Sequence, residues 1–184
     1  MLSTAASLPV IGVILVLTAA AVFFLELLRL RRPGSARKVR MVQVLLLCLY
    51  LLGYLYLTIF SRKPGSAPRF AGFLWSYREA FRLENGGIRI TRLGLARQIL
   101  MNVLLYVPLG MLLPGVCAGA KRPYWLSVAL GAALTLFTEC TQYALRLGLF
   151  EPDDILDNML GLAAGILVLM CLRRAAKCLA DKRF

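Results

Sequence analysis

Residues 124–172, YWLSVALGAALTLFTECTQYALRLGLFEPDDILDNMLGLAAGILVLMCL, form two apolar segments joined by a short polar loop. Each segment is close to the roughly 20 residues that an α-helix needs to cross a bilayer. Glu139 interrupts the first segment, and Asp153, Asp154 and Asn158 open the second. An acid at the centre of a membrane helix costs about 2.5–3.5 kcal/mol on insertion scales. The stretch therefore predicts two membrane helices with a polar site between them.

The composition of the whole chain also points to a membrane. Of its 184 residues, 60% are hydrophobic and 17% are charged, and the mean hydropathy is +0.74. A typical soluble domain is about 45–50% apolar and about 25% charged. A soluble domain, a disordered tail and a coiled coil are therefore excluded. The net charge of +13 is more typical of membrane orientation and headgroup contact than of nucleic-acid binding.

The apolar segments predict an all-α integral membrane protein, a bundle of about five transmembrane helices plus an outer interfacial amphipathic helix. The first span, 8–28, is longer than a signal-peptide core and no Lys or Arg precedes it, so we interpret it as retained. A four-span protein, with the first segment removed or lying flat, is the main alternative. The other spans are predicted at 41–60, 99–116 (broken by Pro108), 124–145 and 154–172.

The basic residues predict the orientation of the bundle. Residues 29–40 contain six basic residues and no acid. Together with the 118–123 loop and the C-terminal segment they place thirteen Lys and Arg on one side, against nine on the other. Short basic loops favour the cytoplasm. We therefore predict a multi-pass protein of the cell membrane with its N-terminus outside and its C-terminus in the cytoplasm.

The 61–98 segment is predicted to contain an amphipathic helix rather than a plain loop. Its apolar positions are Phe70, Phe73, Leu74, Tyr77 and Phe81, and the charged residues between them are Arg69, Arg78, Glu79 and Arg82. An aromatic face flanked by Trp75 suits the headgroup layer, and packing on the rim of the bundle is the alternative. A turn is predicted at residues 85–87, Asn-Gly-Gly.

Polar residues of the last three spans are predicted to lie at one depth. In the predicted orientation the third span enters from outside near Asn102, the fourth leaves there after Glu139, and the fifth re-enters with Asp154. The candidate binding residues are Asn102, Tyr106, Glu139, Gln142, Asp153, Asp154 and Asn158. They predict a polar, net-acidic pocket that opens outward between these spans.

Each candidate also has a purely structural interpretation. A neutral Glu139 would hydrogen-bond Gln142, Asn102 or Asn158 between helices. Asp153 and Asp154 would cap the fifth helix. Arg146 would anchor to headgroups or act as a counter-ion for the acids. The residues with an expected structural role are Pro108, which would kink the third span, and Gly110, Gly161 and Gly165, which allow close packing.

The sequence predicts no metal and no cofactor. It contains no histidine, so histidine-based proton chemistry and metal ligation are absent. Its five cysteines are interpreted as reduced residues without a disulfide framework. A divalent cation bound by the hard oxygens of Glu139, Asp153 and Asp154 is a variant that the spacing leaves open.

Three motifs resemble those of the VanZ-like family. Asn102-Val-Leu-Leu-Tyr106-Val-Pro108-Leu-Gly110 resembles the family's N-x-x-x-aromatic-x-P-x-G signature. Thr135-x-x-x-Glu139-x-x-Gln142 resembles its S/T-x-x-x-E-x-x-Q motif. Residues 148–165, which contain Phe150-Glu151-Pro-Asp153-Asp154, Asn158, Gly161 and Gly165, resemble its closing F-[DE]-x-D-D-x-x-x-N-x-x-G-x-x-x-G motif. The resemblance covers about residues 93–165.

The resemblance implies a membrane domain over 41–184, after a first span and basic loop in 1–40. The family takes its name from a membrane protein of glycopeptide-resistance gene clusters in Gram-positive bacteria, which raises resistance to the lipid-tailed antibiotic teicoplanin. Most relatives are integral membrane proteins of the cell envelope. This chain departs from the pattern at Gly148, near which many relatives carry Arg, at Pro152, and at Asp157, which is an additional acid.

Three classes of function follow from these features. The leading hypothesis is a non-enzymatic envelope protein whose outward acidic pocket binds a lipoglycopeptide or a cell-wall lipid, with membrane lipids as its other partners. The second is an enzyme that modifies a lipid headgroup, with Glu139 as general base and Asp154 as general acid. A transporter is disfavoured because the two halves of the chain show no repeat.

Overall fold

The computed structural model describes residues 4–65, 70–81 and 89–181. Short 3₁₀ turns at Pro33–Ser35 and Cys117–Gly119 precede two of its helices, and a π-helical turn at Tyr56–Phe60 extends another. The α-helices are α1 (Thr4–Arg31), α2 (Ala36–Leu55), α3 (Trp75–Phe81), α4 (Arg89–Val116), α5 (Pro123–Ala144) and α6 (Pro152–Asp181). The predicted turn at 85–87, Arg69 and Arg82 lie outside the described residues.

Helix length and composition confirm the predicted all-α membrane fold. Within the described ranges, four helical segments are long and apolar enough to cross a membrane: Pro9–Arg31, Ala36–Phe60, Leu93–Gly119 and Pro152–Asp181. The 22 residues of α5 span about 33 Å at 1.5 Å per residue, which exceeds the hydrocarbon thickness of about 30 Å. One face of α5 is polar and buried, with Ser127, Thr135, Thr138, Glu139 and Gln142.

The helix ends meet in two groups, which we call the basic end and the acidic end. At the basic end, the end of α6 contacts the end of α1 through Arg173 and Glu26, and the segment after α4 approaches Arg40. At the acidic end, the start of α6 contacts α3 and the start of α4. The three acids in the first two turns of α6, Glu151 directly before this helix and Glu139 near the end of α5 lie at the acidic end.

Helix α4 is the centre of the bundle and packs against each of the other five α-helices. Its closest partner is α6, because glycines bring the two backbones together. A Cβ atom on Gly161 would lie 2.0 Å from the Val103 carbonyl oxygen, and one on Gly165 would lie 2.1 Å from the Val107 carbonyl oxygen. From the other side, a Cβ on Gly110 would lie 2.2 Å from the Leu162 carbonyl oxygen. Small residues at such contacts are the usual means of close helix packing in membranes.

The prediction that Pro108 breaks the third span is wrong. Helix α4 begins ten residues earlier than predicted, at Arg89, and continues through Pro108 and Pro114 to Val116. A proline removes one backbone hydrogen bond from a helix, but neighbouring helices compensate for this loss within membranes. Pro108 and Pro114 are both buried in the bundle, so α6 and the other neighbours support the helix at these positions.

Candidate functional site

Five carboxylates gather at the acidic end, and we call them the acidic cluster: Glu139, Glu151, Asp153, Asp154 and Asp157. They come from the end of α5, the loop that follows it, and the first two turns of α6. Glu139, Asp153 and Asp157 have 2%, 0% and 0% of their surface exposed. Burial of charged groups is costly without partners, so the hydrogen bonds of each carboxylate decide what it does.

The segment before α3 lies alongside the loop that carries the cluster. The backbone N–H of Gly65 donates to the Arg146 carbonyl over 2.8 Å, and that of Ala71 donates to the Phe150 carbonyl over 3.0 Å. Phe70 forms a parallel bridge with Phe150. The Phe70 ring also packs against Tyr143 and Phe150, with centroid distances of 4.9 and 5.1 Å. This aromatic group holds the loop against the end of α5.

The predicted amphipathic helix over Phe70–Phe81 is wrong in its first half. The helix begins only at Trp75, because Phe70 is held in the bridge and Leu74 adopts a left-handed backbone with φ 57°. Tyr77 is also not part of a lipid-facing stripe, because its hydroxyl donates to Asp157. Helical spacing in the sequence could not reveal the late start of the helix or the role of Tyr77, because Phe70 and Tyr77 contact residues 80 positions away, Phe150 and Asp157.

Asp153 fixes α3 to the bundle. Its Oδ1 accepts the backbone N–H of Leu74 over 2.6 Å, and its Oδ2 accepts the backbone N–H and the hydroxyl of Ser76 over 3.0 and 2.6 Å. A carboxylate that accepts free N–H groups at a helix start stabilises that start. Asp153 thus acts at the start of α3, whereas the structural interpretation of the sequence had placed its capping role on its own helix.

Glu139 and Glu151 are joined through the backbone. The Glu139 Oε2 accepts the N–H of Glu151 over 3.0 Å. The side chain of Glu151 in turn accepts the Gln98 amide over 2.9 Å. Burial raises the pKa of Glu151, the Gln98 hydrogen bond lowers it, and the nearby Asp153 raises it again. The raised pKa of Glu151 thus reflects its burial first, and the neighbouring acids add to it.

Gln98 connects the third span to the acids of α6. The Nε2 atom that donates to Glu151 also lies 3.4 Å from the Asp154 Oδ1. One amide therefore bridges two carboxylates from the loop and the first turn of α6. The sequence analysis did not select Gln98, although its position one turn before Asn102 places both on the same face of α4.

Arg62 is a cation that approaches the cluster within the described part of the chain. Its Nη1 lies 3.4 Å from the Gln142 Oε1, and its charge lowers the pKa of Glu151. Arg146, which the sequence analysis gave either as a headgroup anchor or as a counter-ion, has a left-handed backbone with φ 57° and closes α5. The N–H groups of Arg146 and Leu147 donate to the carbonyls of Tyr143 and Gln142, which is a Schellman end that ordinarily contains glycine. Arg62 follows the second span directly, and this position is the signal that the sequence analysis missed.

Gln142 also supports the π-helical turn at the end of α2. Its Nε2 donates to the Thr58 carbonyl over 3.1 Å. Thr58 lies within the turn at Tyr56–Phe60. Such single π-helical turns are frequent at functional sites. Gln142 therefore links the polar face of α5 to the position from which Arg62 reaches the cluster.

Deeper in the bundle, the remaining predicted residues form hydrogen bonds between helices. The Asn158 Nδ2 donates to the Thr135 hydroxyl over 2.8 Å. The Tyr54 hydroxyl lies 3.2 Å from the Tyr106 hydroxyl and 3.0 Å from that of Thr138. Tyr106 is fully buried. These residues lie below the carboxylates and stabilise the contacts among α2, α4, α5 and α6.

Three buried polar atoms near the cluster lack a hydrogen-bond partner among the described residues. They are the Trp75 Nε1, the Asn102 Nδ2 and the Asp157 Oδ2. A buried polar atom without a partner is uncommon and costs about 1–3 kcal/mol. Among the described residues, one donor from α3, one donor from α4 and one acceptor from α6 are thus buried without a hydrogen bond.

The variant with a bound divalent cation receives no support from the geometry. Within the described ranges, no three acidic or cysteine residues converge as metal ligands. Asp153 is engaged with α3 through both oxygens, and Glu139 with the Glu151 backbone. The cluster is therefore an acidic hydrogen-bonding site, and we derive no metal chemistry from it.

The fold and the site define a multi-pass α-helical membrane protein with a buried polar centre at one end of the bundle. The chain belongs to the VanZ/LLP1 family, whose pattern matches residues 44–173. This confirms the VanZ-like resemblance of the three motifs. The match extends beyond the motif region to most of α2 and α6. No curated protein and no solved structure matches the chain.

Proposed function

We propose that this protein binds the cationic, polar head of an amphiphile at the acidic cluster and thereby contributes to resistance to lipoglycopeptides such as teicoplanin. A cell-wall lipid intermediate is the other ligand of the same character. The observation that carries the proposal is the crowding of five carboxylates, which Arg62 approaches among the residues that the structure describes. Such an excess of negative charge favours a positively charged group.

The aromatic residues beside the cluster support an amphiphilic ligand. Phe70 and Phe73 are 69% and 59% exposed. They precede α3, which is held in place by Asp153 and Tyr77. Aromatic side chains are favoured where a polar layer meets hydrocarbon. A ligand with its head at the carboxylates would therefore have an apolar surface beside it for its tail.

The proposed function requires that the acidic end faces the outside of the cell. The basic end contains the tight loops that are rich in Lys and Arg, and such loops favour the cytoplasm. We therefore propose a location in the cell membrane of a Gram-positive bacterium, with the acidic end of the bundle facing the cell wall. This is the side from which a glycopeptide arrives.

Substitution of Glu139→Gln and Asp154→Asn tests the proposal in cells. Both changes keep the size of the side chain and remove its charge, so protection against teicoplanin should fall to the level of cells without the protein. Asp181→Asn is the matched control, because Asp181 is exposed at the far end of α6, and it should retain full protection. Growth inhibition is measured with equal amounts of membrane-inserted protein. Full protection by both variants would contradict the proposal.

An enzyme that modifies a lipid headgroup is the second candidate. Glu139 accepts a backbone N–H, whereas Asp154 lies beside an amide. Two carboxylates in different surroundings can divide the roles of acid and base. Lipid profiles of cells with and without the protein separate the two candidates. The enzyme is favoured if one lipid gains or loses abundance when the protein is present, and if Glu139→Gln returns that lipid to its level in cells without the protein.

A further inference from the structure

A cavity of about 290 Å³ lies at the basic end, opposite to the acidic cluster. The end of α1, the first turns of α2, the end of α4 and the following 3₁₀ turn enclose it. Its volume is close to the lower limit of about 300 Å³ for pockets that hold small organic ligands. The cavity therefore has room for a group of headgroup size.

Three arginines line this cavity: Arg29, Arg37 and Arg40. Within the described part of the chain, none of them has an ion-pair partner. Glu26, one turn before Arg29 on α1, is already paired with Arg173 at 3.0 Å, and Arg173 also donates to the Tyr124 hydroxyl. The cavity is therefore a strongly positive site whose nearest carboxylate on the same helix is neutralised by another residue.

Gln43 supplies a second, independent sign of a missing ligand. Its side chain lines the cavity and is only 1% exposed, yet its Nε2 donor has no partner among the described residues. A buried donor of this kind is ordinarily satisfied by protein, water or ligand. The three guanidinium groups and the N–H groups of this amide are hydrogen-bond donors, which are the groups that an anion requires.

Two glycines leave the space that these donors occupy. A Cβ atom on Gly115 would lie 2.6 Å from the amide atoms of Gln43, and one on Gly119 would lie 3.0 Å from the Arg40 Nη1. The end of α4 therefore lies close against the donor groups of α2. A larger residue at either position would displace the amide or the guanidinium from the cavity.

We propose that this cavity binds a phosphate group, and specifically the phosphate of an anionic phospholipid headgroup. Arginine binds phosphate oxygens in a bidentate manner and with stronger hydrogen bonds than neutral donors form. Basic pockets between membrane helices at a basic end are the usual location of such headgroups. The cavity lies at the end of apolar spans, where headgroups are found, and the inference does not depend on the function proposed for the acidic cluster.

The test compares two double variants of equal charge in nanodiscs. Arg37→Gln/Arg40→Gln removes two cations from the cavity, whereas Lys38→Gln/Arg174→Gln removes two exposed cations of the same end that do not line it. The readout is retention of phosphatidylglycerol over phosphatidylcholine by native mass spectrometry. We expect at least tenfold weaker retention for the cavity variant only. Equal losses in both variants, or no preference in the unaltered protein, would overturn the proposal.

Two further arms identify the source of the phosphate and the role of the amide. Gln43→Leu keeps all three arginines and should weaken phosphatidylglycerol retention several-fold, whereas an unchanged retention would count against the site. Millimolar inorganic phosphate should not displace the lipid. If it does so in the unaltered protein and binds less to the cavity variant, the site takes a soluble phosphate and the lipid assignment is overturned.

Discussion

Replacement of Gly161 by alanine should prevent the normal assembly of the bundle, because the new Cβ would lie 2.0 Å from the Val103 carbonyl oxygen. The obstacle is backbone, which cannot rotate away as a side chain can. Overpacking in a core usually costs about 1–3 kcal/mol, and a backbone collision should reach the top of that range or exceed it. Gly165→Ala should behave alike, since its Cβ would lie 2.1 Å from the Val107 carbonyl oxygen.

Gly94→Ala is the matched control for these two variants. Gly94 lies in α4, and a Cβ there would meet no atom within 4 Å. Alanine should then stabilise the helix by about 1 kcal/mol, as it does in open helix positions. The measurement is the yield of monodisperse protein after detergent extraction, together with its midpoint of thermal unfolding. Equal midpoints for Gly161→Ala and Gly94→Ala would contradict the close contact of α4 and α6.

Substitution of Asp153→Asn should release α3 from the bundle. The carboxylate accepts three hydrogen bonds from Leu74 and Ser76. In asparagine, an NH2 group replaces one of the two carboxylate oxygens, so a donor would face a donor of α3. Hydrogen bonds to charged groups contribute about 1.5–3 kcal/mol each. We therefore expect the amide protons of α3 to exchange with solvent at least a hundredfold faster.

The adjacent residue supplies the control for this exchange experiment. Asp154→Asn removes the same charge one position further along α6, but the Asp154 Oδ1 lies beside Gln98 of α4, whereas Leu74 and Ser76 donate to Asp153. Exchange in α3 should therefore stay close to that of the unaltered protein. Equal protection of the Leu74 and Ser76 amides in both variants would show that Asp153 does not anchor α3.

Much of the membrane fold could be predicted from the sequence because it depends on local properties. Length and hydropathy are enough to identify apolar spans such as 41–60 and 154–172, and the motif glycines already indicated close packing. The helix limits were less accurate, since α4 begins at Arg89 and passes through Pro108. A proline is a reliable helix breaker only where no neighbouring helix supports the backbone.

For the candidate site, the sequence could predict which residues share a helix face, but not which residues they contact. The spacing of Thr135, Glu139 and Gln142 places them on one face of α5, and that face is buried. Their partners could not be predicted, because they come from distant parts of the chain. Arg62 and Gln98 lie 80 and 53 positions away from the residues that they contact, Gln142 and Glu151.

Binding of fluorescent teicoplanin to the protein in nanodiscs would show whether the acidic cluster binds a cationic amphiphile. We expect saturable binding by the unaltered protein, weakened at least tenfold by Glu139→Gln/Asp154→Asn and unchanged by Asp181→Asn. Equal affinity of all three proteins, or binding no greater than that of empty nanodiscs, would contradict it.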